Sequence, residues 1–321
     1  MKKLKKTFLI IGIFLLLAGG SFVYFLYSRK APITQGKVEY QLMYKEGLAL
    51  DLYEPTQELY ELRPLLIHFH GGAWIGGAKE AINNDRFHGA INSLREKGYV
   101  VISPNYTLAE SGKSPFPKCV EDALDVMKWV GEHAKEYKLD LKNVGLMGES
   151  AGAHLALMAA YSKGEDFGIS YSYPINYVVD VYGPVDLKAL YTGSEIRKEL
   201  EARIQNFPPP IKKGLNISQY LFGFDPQTDT TKAWSFAEKH SPIAYLGADA
   251  PPLLMIHGDI DRVVPYEQSV LLKAKADSIG IVNEIHKLKG SDHAFMGATE
   301  AQKDSVQKWI GEFVEKYSQL N

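Results

Sequence analysis

Val144-Gly145-Leu146-Met147-Gly148-Glu149-Ser150-Ala151-Gly152-Ala153-His154-Leu155-Ala156-Leu157-Met158-Ala159-Ala160 is the stretch whose reading decides the fold. It opens on a short apolar run and closes on residues that mostly favour a buried helix. Between them stands G-x-S-x-G, so the whole reads as strand, sharp turn, helix. The residue types have a physical reason. A chain that reverses so quickly holds the serine in a strained backbone conformation with its hydroxyl exposed. Small residues two positions to either side let neighbouring backbone pass close by. The amide of Ala151 then opens a helix, where free N–H groups and the helix dipole favour negative charge. Ser150 is therefore a candidate nucleophile.

Working outward, strands and helices alternate. Lys37–Tyr44 and Leu48–Tyr53 read as an antiparallel hairpin around Lys45-Glu46-Gly47. Leu65–Phe69 and Tyr99–Ile102 are buried strands, separated by an amphipathic helix expected over Glu80–Lys97 and stopped by Gly98. Phe116–Glu136 carries Val120, Ala123, Leu124, Met127 and Val130 on one face of a long helix. Tyr177–Tyr182, Leu253–His257 and Asn283–Leu288 are further strands, with helices expected at Tyr266–Ile279 and Glu300–Tyr317. From Asp186 to His240 the rhythm breaks into charged helical segments, Pro208-Pro209-Pro210 and the aromatic Tyr220-Leu221-Phe222-Gly223-Phe224. This stretch reads either as a lid that shapes a pocket or as a packed excursion without substrate contact. The expected class is α/β: a mostly parallel central sheet of about eight strands, helices on both faces, and a cap insertion at 186–240.

Composition narrows the functions. With 45% hydrophobic and 23% charged residues, the 321-residue chain is globular rather than disordered. A net charge of −2 leaves no basic excess to neutralise phosphates, which excludes nucleic acid as the main partner. Cys119 is the only cysteine, so there is no intrachain disulfide and no cysteine-rich metal site. Lys2, Lys3, Lys5 and Lys6 precede an uncharged run from Thr7 to Ser28, followed by Arg29 and Lys30. That run can span hydrocarbon about 30 Å thick. A cleavable signal peptide is the rival, with Ala18-Gly19-Gly20-Ser21 as its cleavage zone. Phe22-Val23-Tyr24-Phe25-Leu26-Tyr27 continues the apolar run beyond that zone, which favours an uncleaved anchor. The basic cluster then stays in the cytoplasm and the remainder lies outside, at the cell membrane, or is secreted if cleavage occurs. Residues 1–30 are read as anchor or signal, 31–36 as a linker and 37–321 as the catalytic domain.

A serine hydroxyl needs a positioned base, and that base needs an acid to fix its tautomer. Behind an elbow of this kind both follow the serine in the order acid, base, each after a late strand. His257-Gly258-Asp259-Ile260-Asp261-Arg262-Val263-Val264-Pro265 and Gly290-Ser291-Asp292-His293-Ala294-Phe295 stand in those places. Asp261 is the candidate acid and His293 the candidate base. Asp259 competes for the acid role, but the H-G-x-x-D-x-x-V-P spacing favours Asp261. Asp292 is too close to His293 to fold back onto its ring, and His154 reads as a packed helix residue. His70-Gly71-Gly72-Ala73-Trp74 directly follows a strand, so its backbone can approach an oxyanion with amides as donors. Gly72, Ala73 and Ala151 are the candidate donors, with Gly71 an alternative to one of them, and His70 braces the loop. His68, His70, His257 and Asp259 lack a fuller ligand signature, so no metal site is expected.

Together these residues identify a resemblance. His70–Trp74, Ser103-Pro104-Asn105-Tyr106, Pro115-Phe116-Pro117 with Glu121-Asp122-Ala123, Gly148–Gly152 with His154-Leu155-Ala156, His257–Pro265 and His293 carry it. The chain resembles the α/β-hydrolase superfamily over residues 38 to 317, nearest its carboxylesterase, hormone-sensitive-lipase-like and small acetylxylan or feruloyl esterase-like branches. Two departures stand out. Ala73 replaces the third glycine of many relatives and narrows the oxyanion stretch, and Ala153 stands where the esterase-like group often has glycine. The resemblance implies cofactor-free hydrolysis of short acyl esters, with small molecules or acetylated carbohydrate as substrates. A serine aminopeptidase on the same fold and a non-catalytic, membrane-tethered binding protein are the alternatives.

Overall fold

The computed structural model describes residues 36–83, 86–110, 112–162, 164–204 and 217–320. The N-terminal apolar run and Pro208-Pro209-Pro210 lie outside the described residues. Among the described residues no helix is long and apolar enough to cross a membrane.

One eight-stranded sheet organises the chain: β1 (Val38–Lys45), β2 (Leu48–Tyr53), β3 (Arg63–Phe69), β4 (Val100–Pro104), β5 (Leu139–Glu149), β6 (Tyr177–Val181), β7 (Leu253–Gly258) and β8 (Asn283–Leu288). The strands lie in the order β1-β2-β4-β3-β5-β6-β7-β8. The β1–β2 and β2–β4 pairs are antiparallel and all later pairs are parallel. The helices are α1 (His88–Glu96), α2 (Lys118–His133), α3 (Ala151–Ser162), α4 (Leu187–Gly193), α5 (Glu195–Ile204), α6 (Ile217–Phe222), α7 (Thr230–Lys239), α8 (Pro242–Tyr245), α9 (Glu267–Ser278) and α10 (Glu300–Tyr317).

Strands β3, β4, β6 and β7 are buried along their whole length, which is why they read as continuous apolar runs rather than as alternations. Alternation still sorts their side chains. Leu65, Ile67 and Phe69 join the core beneath α2 and α3, whereas Leu66 joins Ile91, Leu94, Ile310 and Phe313 beneath α1 and α10. The helix expected over Glu80–Lys97 is broken. A 3₁₀ turn spans Lys79–Asn83 and α1 begins only at His88. The physical reason is Lys79, whose ammonium is buried and held 2.7 Å from the buried Asp51 carboxylate. That inward tether fixes the turn before a regular helix can start. Strand β5 also begins earlier than its apolar run, because Lys138 turns the chain at φ 53° and Leu139 N donates to Ala134 O at 2.8 Å.

Candidate active site

Strand β5 ends at Glu149 and α3 begins at Ala151, so Ser150 alone makes the turn. Its φ is 52°, in the left-handed region that strains a residue with a Cβ. The neighbouring strand holds it there, since Ser150 N donates to Val181 O at 2.9 Å. The two glycines are required by close approach. A Cβ on Gly148 would sit 2.3 Å from the Gly152 carbonyl carbon, and one on Gly152 would sit 2.0 Å from Phe69 O.

The turns after β7 and β8 bring Asp261 and His293 to this serine. Ser150 Oγ lies 3.1 Å from His293 Nε2, and His293 Nδ1 lies 2.7 Å from Asp261 Oδ2. A carboxylate only accepts, so Nδ1 carries the proton and Nε2 is left to accept from the serine hydroxyl. Asp261 Oδ1 accepts from Val263 N at 2.9 Å and Val264 N at 2.8 Å. His257 Nε2, which donates to Val264 O at 2.8 Å, also stands 3.4 Å from Asp261 Oδ2. Burial alone would raise the Asp261 pKa, but hydrogen bonds from His257 and His293 outweigh it and hold it at about 2. Asp261 is thus ionised at neutral pH.

The competitors have other partners. Asp259 Oδ1 accepts from Gly290 N at 2.6 Å and fixes the turn after β8. Asp292 accepts from Arg262 N at 3.0 Å, Arg262 Nε at 2.9 Å and His293 N at 2.7 Å, so it ties the acid loop to the base loop. His154 is buried edge-on to Trp74 and Phe116, its Nε2 donating to His240 O at 2.7 Å. Burial lowers its pKa to about 3 and keeps it neutral. His68 is likewise buried and neutral, its pKa lowered by burial to about 4.

In the loop after β3, Gly72, Ala73 and Trp74 all have positive φ, at 124°, 53° and 57°. Gly72 O accepts from Ile75 N and Gly76 N, both at 3.0 Å, and a Cβ on Gly72 would lie 2.1 Å from Gly76 O. His70 donates from Nδ1 to Gly71 O at 2.8 Å and stacks on Tyr106 at 4.2 Å, which stiffens the loop. Among the described residues nothing accepts from the amides of Gly72, Ala73 or Ala151. Ala73 and Ala151 line a cavity of about 250 Å³ together with Ser150, and Gly72 directly precedes Ala73 behind it. Leu190, Tyr191, Ser194, Ile196, Arg197, Ser218 and Leu221 of the 186–240 insertion line the same cavity.

Sequence reasoning passed over two groups beside the serine. Glu149 is only the variable position of the pentapeptide, yet its buried Oε2 accepts from Arg86 Nη2 and Tyr182 Oη, both at 2.7 Å. Burial opposes its ionisation, but the Arg86 charge, with the Tyr182 hydrogen bond, keeps its pKa below the usual carboxylate value. The Tyr182 ring in turn packs 4.9 Å from the His293 ring and 4.9 Å from Phe295. A charged residue inside an apolar turn was the available signal for Glu149. Nothing local in the sequence marks Tyr182.

The chain matches the BD-FAE family over residues 50–276. It is 26% identical over 252 residues to the probable carboxylic ester hydrolase LipM of Mycobacterium tuberculosis, covering 77% of this chain and 51% of that protein. It is 27% identical over 256 residues to the esterase LipQ of the same organism, covering 78% and 55%. The chain thus spans about half the length of these relatives. Among solved structures, the hyperthermophilic esterase of Pyrobaculum calidifontis superposes with a TM-score of 0.67 at 24% identity, covering 92% of this chain and 90% of its own. A truncated carbohydrate esterase from gut microbiota gives 0.65 at 24% identity, covering 89% and 100%. These structures share the fold of the chain, and with the family match they lead to one conclusion: the chain belongs to the BD-FAE family of α/β-hydrolases.

Proposed function

We propose that the chain is a serine carboxylic-ester hydrolase that cleaves short acyl esters in two steps. Ser150 attacks the ester carbonyl while His293 Nε2 takes its proton. Asp261 holds the imidazole tautomer and stabilises the imidazolium that forms. The amides of Ala73 and Ala151 receive the oxyanion, each worth about 3 kcal/mol of transition-state stabilisation, and Gly72 backs them as a third donor. The alcohol leaves with the proton from His293, and water activated by the same nitrogen releases the acid. One observation carries this reading: the hydrogen-bonded Ser150–His293–Asp261 chain opens onto the cavity beside two unpaired amides.

A cavity of about 250 Å³ suits a short acyl group, and acetylated carbohydrate is one substrate class consistent with it. The aminopeptidase reading is disfavoured because, among the described residues, none that lines the cavity is Asp or Glu to anchor a substrate amine. As part of the same proposal, Lys2, Lys3, Lys5 and Lys6 ahead of the Thr7–Ser28 run support an outward-facing, membrane-held domain, or a secreted one after cleavage. The test is a panel of p-nitrophenyl esters from acetate to decanoate, acetylated xylan and aminoacyl anilides. Best turnover on acetate or butyrate supports the reading. Preferred turnover of anilides, or of decanoate, contradicts it.

A further inference from the structure

The cavity beside Ser150 is apolar except at its cap end. Among the described residues that line it, Arg197 is the only charged one, and Ser194 and Ser218 line it beside that residue. Arg197 stands in the first turn of α5, where a cation opposes the helix dipole, although its pair with Glu201 one turn on supports the helix. Its side chain is only 15% exposed, and its guanidinium carbon stands over the Tyr191 ring, 4.0 Å from the centroid. Nη1 donates to Glu201 Oε2 at 2.5 Å, and Ser218 Oγ donates to Glu201 Oε1 at 2.8 Å. Glu201 therefore sits behind the guanidinium as a fixed counter-ion and does not itself line the cavity. The other edge of the fork is unused. Nε is buried without a hydrogen-bond partner, and Nη2 makes no hydrogen bond among the described residues.

A buried Nε–H without an acceptor is costly unless one meets it, and Nη2 beside it is equally unspent. The group that matches it best is a carboxylate, which is planar and accepts two parallel N–H bonds. Glu201 lowers the cost of holding the cation before substrate arrives, and the Tyr191 ring covers one side of the guanidinium. The start of α5, which carries Arg197, is also tied to the acid loop. Ile196 N donates to Arg262 O at 3.1 Å and Ser194 Oγ to the same oxygen at 3.3 Å, immediately after Asp261. The charged end of the cavity is thus held in register with the reacting end.

We propose that Arg197 determines specificity by receiving a carboxylate carried by the substrate, so that the preferred esters bear a free carboxylate separated from the ester by an apolar spacer. This rests on the ester-hydrolase reading of Ser150. The chemistry is unchanged: the acyl C–O bond breaks, water adds across it, and the distal carboxylate is the same before and after. The carboxylate can lie on the acyl or the alcohol side, and paired substrates separate the two. Monomethyl glutarate and 3-acetoxypropionate are each compared with their uncharged primary amides, by pH-stat, on the full chain. In one of the two pairs the wild type should favour the acid over the amide at least tenfold in kcat/KM. Arg197→Gln should bring that ratio to about one, and Arg197→Lys, which keeps the charge but loses the planar edge, should fall between. A ratio of one or less in both pairs for wild type, or the same ratio in Arg197→Gln, overturns the inference. If wild type cleaves no ester at all, the hydrolase reading fails separately, and calorimetric titration of monomethyl glutarate decides about Arg197. Binding to Ser150→Ala that vanishes in Ser150→Ala/Arg197→Gln supports the site, and no binding or equal binding overturns it.

Discussion

Replacing Asp261 by asparagine tests how the site sets the protonation of His293. The carboxylate is gripped from both sides: Oδ1 accepts from the amides of Val263 and Val264, and Oδ2 faces His293 Nδ1. Two N–H donors on one side leave asparagine only one orientation, its oxygen toward those amides and its NH₂ toward His293. The histidine must then accept at Nδ1 and carry its proton on Nε2, which faces Ser150 Oγ at 3.1 Å. A protonated Nε2 cannot take the serine proton. The expected loss in kcat is about 10⁴-fold, equivalent to about 5 kcal/mol in barrier, with little change in structure. The assay is initial rates on p-nitrophenyl acetate, with circular dichroism to confirm folding. Asp259→Asn is the control, because that side chain serves the Gly290 amide, and its effect on kcat should be small. Activity of Asp261→Asn within tenfold of wild type, or the larger loss falling on Asp259→Asn, would refute the tautomer argument.

Other expectations concern stability. The Asp261 pKa lies below its ordinary 3.8, at about 2, so its contribution, roughly 2 kcal/mol, is fully present above about pH 5 and is lost as pH falls through about 2. Urea midpoints of wild type and Asp261→Asn should therefore converge on acidification, and a constant gap between pH 7 and pH 3 would contradict this. Gly152→Ala puts a methyl group 2.0 Å from the Phe69 carbonyl oxygen and should cost at least about 3 kcal/mol in urea unfolding. Lys79→Met strands the buried Asp51 carboxylate and should cost about 3–5 kcal/mol, whereas Lys79→Met/Asp51→Leu should recover much of it. An unrecovered double variant would show that the pair matters for more than charge compensation.

Much of this architecture is legible in the sequence because it is written locally. An apolar run, a glycine-flanked serine and a uniform helix specify the β5–α3 turn, since only that backbone path needs small residues at both Gly148 and Gly152. The loops bearing Asp261 and His293 are readable for the same reason, each following a strand of its own. What lies across long separations is not. Glu149 meets Arg86 and Tyr182, 63 and 33 residues away, and no periodicity records such pairings. The break between Lys79 and His88 depends on a buried ion pair with Asp51, on another strand, while an amphipathic pattern sees only a helix face. Arg197 reads as one charge in a charged helix, and only the fold turns it toward the cavity.

The central claim is that Ser150 is made nucleophilic by His293. It is tested most directly by treating the protein with a fluorophosphonate probe and mapping the adduct by mass spectrometry. The account predicts stoichiometric labelling on the peptide containing Ser150, none in Ser150→Ala, and strongly slowed labelling in His293→Ala. An unlabelled wild type, or an adduct that persists in Ser150→Ala, would contradict it.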